Sequence, residues 1–135
     1  MFQTETQLRV RYSETDRMGY VYYGNYAQYF EVARVEALRT LGITYKKMEE
    51  EGIILPVLEF TIKYFKPAFY DDLLTIKTVI PKLPEARIYF EYQIFNETGT
   101  LLNKANTTLV FINVTNGKPI AAPEYLLARM RDYYV

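Results

Sequence analysis

The sequence predicts an α+β fold in which one long helix lies on a strongly curved antiparallel sheet. Residues 2–12 alternate apolar and polar side chains, as a strand with one buried face does. Residues 26–41 repeat apolar side chains every three or four positions, as an amphipathic helix does. From residue 57 onward the chain is mostly β-rich runs separated by turn-forming residues. One helix that covers one face of an antiparallel sheet is the arrangement that follows.

The first strand is predicted over residues 2–12, and residues 13–24 then interrupt its period with two glycines and an aspartate among aromatic residues. We expect this segment to be a structured loop with at most a short turn of helix. The long helix after it begins near Tyr26, with Asn25 as a candidate cap and Gly42 as a C-terminal stop. A short polar helical turn is expected over residues 45–51.

The second half of the chain predicts four strands that pair antiparallel, over residues 57–65, 71–80, 87–95 and 101–114. A short helix is expected after Pro123. Apolar side chains are predicted on both faces of this sheet: Tyr64, Tyr89, Tyr92, Val110 and Ile112. A face or edge that the single helix leaves uncovered would bind another subunit, so we expect a homo-oligomer.

Length and composition exclude several classes of protein. The chain has 135 residues, so we expect a single domain over residues 1–135. The chain has 16 basic residues (Lys and Arg) and 16 acidic residues (Asp and Glu), so its net charge is zero. It lacks the excess of positive charge with which proteins attract nucleic acids. The absence of cysteine excludes a disulfide framework and favours a cytoplasmic protein. No run of apolar residues is long enough to predict a membrane helix, and no leader peptide is expected.

Histidine is also absent, which limits the chemistry further. The sequence excludes a cysteine nucleophile, a Ser-His-Asp triad and the usual histidine zinc site, and Ser13 lacks the glycine-flanked turn of a hydrolase serine. Any catalytic group must be a carboxylate, Lys, Tyr, Thr or the backbone. The pair Asp71 and Asp72 is more typical of a turn than of a catalytic site. Glu31 and Arg34 are expected to form a surface ion pair, with Glu31 lining a pocket near the loop aspartate as the alternative.

Residues 13–26 couple an acidic loop to the start of the long helix. Asp16, held near the first N–H groups of that helix, would be stabilised as a carboxylate and could cap the helix without any chemistry. Alternatively, those N–H groups polarise a carbonyl oxygen while Asp16 attacks the carbon or activates a water. Gly19 and Gly24 would let the backbone approach a ligand closely.

Several motifs recur here in a specific order and spacing, from about Leu8 to Pro123: Arg11–Asp16, Gly19, Val21–Tyr23, Asn25–Tyr26, Phe30–Glu31, Arg34, Phe65–Ala68 and Tyr70–Ile76. Together they resemble the signature of hotdog-fold acyl-CoA thioesterases of the 4-hydroxybenzoyl-CoA thioesterase type. The resemblance implies the hotdog fold and hydrolysis of an acyl-CoA to the free acid and CoA. It also implies a site completed by a neighbouring subunit of a homodimer or homotetramer. No metal and no bound cofactor are expected.

The resemblance places the catalytic carboxylate on Asp16 and the oxyanion-binding backbone N–H on Tyr23. The Tyr23 position is His in a large branch of the family and Tyr in the branch with aromatic substrates. Further substrate-binding positions are Gly19, Tyr22, Gly24, Asn25 and Glu31. Basic residues that meet the CoA phosphates would be Lys82 and Arg87. Two alternatives stay open: a thioesterase for acyl carrier protein, and a non-catalytic module that binds acyl-CoA.

Overall fold

The computed structural model describes residues 1–134, and it confirms the α+β class. The helices are α1 (Tyr26–Thr40), α2 (Tyr45–Glu50) and α3 (Glu124–Met130). The strands are β1 (Phe2–Arg9), β2 (Ile53–Ile54), β3 (Val57–Tyr64), β4 (Leu73–Ile80), β5 (Arg87–Phe95), β6 (Leu101–Val110), β7 (Ile112–Asn113) and β8 (Lys118–Pro119). Short 3-10 turns occupy Tyr12–Glu14, Tyr23–Asn25 and Arg131–Tyr134.

The five long strands form one antiparallel sheet in the order β1-β4-β5-β6-β3, which confirms the predicted pairing. Burial alternates residue by residue along β4, so one face of the sheet is the core face. The helix α1 lies on this face, where Phe30, Ala33 and Ala37 have no exposed surface. The two alanines let the helix approach the sheet closely, and Phe30 packs against Tyr92 with ring centroids 4.5 Å apart. A second, small sheet joins β2, β7 and β8.

Four predicted strands are too long, β3 by the single residue Phe65 and three others by more, because the backbone leaves the sheet while the alternation of side chains continues. β1 ends at Arg9, since Val10 instead exchanges hydrogen bonds with Asp72 (2.9 Å) and Asp71 (3.0 Å) in the turn before β4. β4 begins only at Leu73, because Asp71 adopts a left-handed conformation with φ 70°. β6 ends at Val110, and the residues after it pair with β2 and β8.

Part of the exposed apolar surface lies on the β3 edge. Most residues predicted to make both faces apolar are covered: Tyr92 and Val110 are buried, and Tyr89 is half-buried. In β3, by contrast, Leu58 is 52% exposed and Tyr64 is 47% exposed, and the outer side of this strand has no neighbour. No helix within residues 1–134 is long and apolar enough to cross a membrane.

Candidate active site

Glu14 anchors the loop that precedes α1. Its carboxylate accepts hydrogen bonds from the Arg11 backbone amide (2.8 Å), the Arg11 guanidinium (2.8 Å) and the Tyr29 hydroxyl (2.9 Å). Its carbonyl oxygen accepts from the backbone amide of Tyr22 (2.9 Å) and the side-chain amide of Asn25 (2.8 Å). Because Tyr29 belongs to α1, these bonds hold the loop against the first turns of the helix.

The environment of Glu14 keeps its carboxyl group ionised. Glu14 is only 7% exposed, and this burial by itself opposes ionisation. The hydrogen bonds from Arg11 and Tyr29 and the charge of the guanidinium outweigh burial and lower the pKa of Glu14 below its ordinary value. Burial, and then the contact with Glu14, raises the pKa of Tyr29. We therefore assign this pair to positioning the loop.

Asp16 follows in a tight turn of its own. Its Oδ1 accepts a hydrogen bond from the Met18 amide (2.9 Å), and its backbone amide donates to the Tyr20 carbonyl (3.0 Å). The turn places Gly19 at φ 85°, a conformation that a residue with a Cβ rarely adopts. The carboxylate is therefore held by its own loop and accepts no hydrogen bond from the first amides of α1. The structure contradicts the interpretation of Asp16 as a helix cap.

The 3-10 turn before α1 supplies free backbone donors. The amides of Asn25 and Tyr26 donate to the carbonyls of Tyr22 (2.9 Å) and Tyr23. Within residues 1–134, the amides of Tyr23 and Gly24 donate no hydrogen bond, as expected at the start of a helix. Such amides carry partial positive charge and can stabilise an oxyanion.

A cavity of about 320 Å³, which we name the Asp16 cavity, brings the carboxylate of Asp16 and the start of this turn together. An isolated bridge between Thr15 and Val21 closes the loop that carries Asp16, and a second bridge, between Tyr20 and Phe69, joins this loop to the one after β3. Its lining residues are Asp16, Met18, Tyr20, Val21, Tyr23, Tyr64, Phe65, Lys66 and Pro67. Asp16 and a turn with free backbone amides thus line one mainly apolar and aromatic space, an arrangement that suits attack on a carbonyl group.

The other loop residues predicted to bind substrate lie outside the walls of this cavity. The Tyr22 ring covers Gly24 so closely that a Cβ at Gly24 would lie 2.6 Å from Tyr22 Cε2. The side chain of Asn25 neither caps α1 nor faces the cavity, because it donates to the Glu14 carbonyl. Gly19 shapes the Asp16 turn, and no other residue lies close to its missing Cβ.

The structure does not bring Glu31, Lys82 or Arg87 to Asp16 within one chain. Glu31 lines a different cavity, between α1 and the start of β3. The predicted ion pair between Glu31 and Arg34 is wrong, because Arg34 instead donates to the Tyr92 hydroxyl (3.5 Å). Lys82 and Arg87 line a third cavity, where Lys82 Nζ lies 4.4 Å from the centre of the Tyr89 ring.

Turn chemistry explains the pair Asp71 and Asp72, as predicted. Asp72 accepts a hydrogen bond from the Phe69 amide (2.8 Å), and Asp71 takes the left-handed position of the same turn. Sequence reasoning missed Glu14 as the anchor of the loop and Tyr64 and Lys66 as walls of the site. Lys66 falls within the Phe65–Ala68 motif, which was the one signal that pointed to this wall.

Comparison with known proteins gives consistent matches along the chain. The family model described as the thioesterase-like superfamily matches residues 10–130. The acyl-CoA thioester hydrolase YbgC of Escherichia coli is 33% identical over 125 residues, which cover 93% of each protein. The acyl-CoA thioesterase YbgC of Haemophilus influenzae is 35% identical over 122 residues, covering 90% of this chain and 89% of that protein. A DHNA-CoA thioesterase structure from Staphylococcus aureus has a TM-score of 0.91 and 39% identity, covering 98% of this chain and 89% of that one.

Proposed function

This chain belongs to the thioesterase-like superfamily and has the hotdog fold, and we propose that it hydrolyses the thioester bond of an acyl-CoA to the free acid and CoA. The similarity to acyl-CoA thioester hydrolases over nine tenths of the chain supports the reaction class. The observation that carries the mechanism is the shared cavity of Asp16 and Tyr23. We place this activity in the cytoplasm, in keeping with a chain that contains no cysteine.

In the proposed reaction the thioester carbonyl oxygen binds the free amide of Tyr23. Asp16 either attacks the carbonyl carbon directly, forming a mixed anhydride that water then hydrolyses to regenerate the carboxylate, or removes a proton from an attacking water. The backbone amide stabilises the negative charge that develops on the oxygen. The C–S bond then breaks, and water supplies the oxygen of the acid and the proton of the CoA thiol. A thiol has an ordinary pKa of about 8.5, so the thiolate leaves without a strong acid, and the lack of histidine is no obstacle.

We propose further that two copies pair through the β3 edge. The other sheet edge, β1, has two apolar side chains among its eight residues, whereas β3 has five apolar or aromatic side chains among eight and is uncovered. A long apolar edge favours pairing with another strand. Tyr64 lies at the end of β3 and walls the Asp16 cavity, so a second copy on this edge would also complete the site.

The charges of β3 favour one register for this pairing. In a twofold antiparallel pair, the residue at the axis faces its own copy. With Thr61 at the axis, Glu59 of one subunit faces the partner's Lys63, and the reverse pair forms at the symmetric position. Registers centred two residues away place Glu59 opposite the partner's Glu59, or Lys63 opposite the partner's Lys63, which opposes like charges. Directly opposed charges of opposite sign stabilise neighbouring strands.

Substitution of Asp16 by asparagine tests the catalytic role. Asparagine keeps the size and the acceptor oxygen that bonds the Met18 amide, but it is neither a base nor a useful nucleophile. We expect single-turnover hydrolysis to fall by roughly three or more powers of ten while the affinity for a nonhydrolysable acyl-CoA stays similar. Asp132→Asn is the matched control, since this exposed acid lies in the C-terminal 3-10 turn.

Turnover by Asp16→Asn at the wild-type rate would contradict the mechanism. Binding without turnover in the wild type would instead favour the acyl-CoA-binding module. The same acyl group presented on CoA and on acyl carrier protein separates the two thioesterase alternatives, and we expect the higher kcat/KM with CoA.

A further inference from the structure

Asn103 in β6 is a buried amide without a hydrogen-bond partner. It has no exposed surface, and no group among residues 1–134 bonds to its Oδ1 or its Nδ2. An amide that leaves water without gaining partners destabilises a fold, so buried polar side chains are nearly always hydrogen-bonded. An apolar residue would fill this place in the core without that cost. The free donor and the free acceptor of Asn103 therefore point to a ligand that binds them.

The sheet places Asn103 directly behind one wall of the Asp16 cavity. Asn103 lies opposite Tyr64 of β3, and side chains opposite each other in a sheet share a face. The carbonyl oxygen of Leu102, the preceding residue, accepts hydrogen bonds from the amides of Phe65 (2.8 Å) and Lys66 (3.0 Å). Tyr64, Phe65 and Lys66 all line the Asp16 cavity. This part of β6 thus supports the whole wall that β3 and the next two residues contribute.

The Tyr64 ring stands between Asn103 and the open cavity. The Cβ atoms of two such opposed residues lie about 5 Å apart. Tyr64 is 47% exposed and its strand has no outer neighbour in the sheet, so the ring has room to turn. On its other side the ring contacts Tyr26, the first residue of α1, with ring centroids 5.6 Å apart. Asn103 is therefore one side chain away from the space that Asp16 and Tyr23 share.

The proposed hydrolysis consumes a water molecule, and the walls of the Asp16 cavity offer it few polar partners. Most walls are aromatic or apolar, and the Tyr20 hydroxyl already donates to Met18 Sδ (3.0 Å). A buried water typically makes about three hydrogen bonds to polar groups. The amide of Asn103 supplies two of them, since Oδ1 accepts from a water and Nδ2 donates to it. Because the amide has no exposed surface, a ligand that reaches it must be as small as water.

We propose that Asn103 binds the water that hydrolyses the thioester and holds it beside Asp16. In the general-base route, the oxygen of this water bonds to the acyl carbon while its proton passes to Asp16. The C–S bond breaks, its electron pair goes to sulfur, and the thiolate then takes up the proton. In the anhydride route, the same water attacks the acyl carbon of the anhydride. The electron pair of the broken C–O bond returns to Asp16, and the proton goes to the thiolate released earlier. This inference rests on the proposed function.

The first experiment compares Asn103→Val with Asn103→Thr, because these side chains have nearly the same shape and differ by one hydroxyl group. Threonine can still hydrogen-bond a water, whereas valine cannot. For the best substrate among acetyl-, hexanoyl-, palmitoyl- and benzoyl-CoA, we expect kcat of Asn103→Val to fall by about 10- to 100-fold with KM within about threefold of wild type. We expect kcat of Asn103→Thr to stay within about fivefold of wild type.

Asn106→Val is the matched control, because Asn106 lies on the same strand with an exposed side chain. Its kcat should equal that of wild type. Urea titration of all three variants reports whether each protein is folded.

The second experiment locates the water in a crystal structure of Asp16→Asn with the acyl-CoA bound. We expect an ordered water about 2.7 to 3.2 Å from Oδ1 or Nδ2 of Asn103 and about 3.5 Å from the thioester carbon. The double variant Asp16→Asn/Asn103→Val should hold no water at this place.

The outcomes separate this inference from the proposed function. Wild-type kcat in Asn103→Val, equal losses in the valine and threonine variants, an unfolded Asn103→Val protein, or a substrate atom in place of the water would overturn the assignment of Asn103 and leave Asp16 catalysis standing. Wild-type kcat in Asp16→Asn, or a wild-type protein that hydrolyses none of the four esters, would overturn the proposed function, and this inference with it.

Discussion

Replacement of Glu14 by glutamine tests whether this buried carboxylate holds the catalytic loop in place. Its two oxygens accept four hydrogen bonds, from the Arg11 amide (2.8 Å), the Arg11 Nη2 and Nε (2.8 and 3.1 Å) and the Tyr29 hydroxyl (2.9 Å). Glutamine keeps one acceptor oxygen and points an NH₂ group at donors on the other side. The Arg11 side chain is 76% exposed, so water compensates for part of the lost ion pair.

We expect the free energy of unfolding at pH 7 to fall by about 2 kcal/mol. The variant loses a hydrogen bond to a charged group, and the new NH₂ group faces another donor. For a chain of this length the melting temperature falls by roughly 5 to 10 °C. Urea titration and thermal unfolding measure both quantities. Glu36→Gln provides the control, since its pair with Arg39 is exposed on both sides and is worth less than about 0.5 kcal/mol.

The pH dependence adds an independent check. The pKa of Glu14 is lower in the folded protein than in the unfolded chain, so its contribution to stability is complete above the unfolded pKa of about 4.5 and is lost as the pH falls through the folded pKa. The difference in unfolding free energy between wild type and Glu14→Gln should therefore be largest near neutrality and shrink below about pH 4.5. A variant within about 0.5 kcal/mol of wild type at pH 7, or a difference that grows in acid, would refute the reasoning.

Two further predictions concern turnover and assembly. For a pantetheine thioester, which lacks the CoA 3′-phosphate, kcat should be nearly constant between about pH 5 and 8. The reason is that the chain has no His or Cys, and burial raises the pKa of Tyr26 to about 12. A clear titration near pH 7 would show that another group is the base. Glu59→Lys should weaken the dimer by roughly tenfold through opposed like charges, and adding Lys63→Glu to the same chain should restore its dissociation constant, as sedimentation equilibrium measures. Failure of the double variant to recover would contradict a register with Thr61 at the axis.

The elements of this fold follow from local patterns in the sequence. The period of residues 26–41 predicts α1, and the alternating runs predict all five strands of the large sheet. Burial of one face selects apolar side chains at every second residue of a strand and at every third or fourth residue of a helix. Composition alone limited the residue types that can be catalytic, because a chain without His or Cys has few reactive side chains other than carboxylates. The family motifs then identified the loop. Strand ends were missed where a turn forms without a break in the pattern, as at Val10 and Asp71.

Only the tertiary structure decided which residues share a space. Asp16 and Lys66 are fifty positions apart and meet because bridges such as Tyr20 with Phe69 join their loops, and no local pattern encodes that closure. Glu14 became the anchor of the loop because folding buries it between Arg11 and Tyr29. Glu31 and Arg34, spaced for an ion pair, instead line a cavity at the far end of β3 from Asp16. Their spacing fixes which face of α1 they occupy, whereas the packing of α1 on the sheet determines what that face meets.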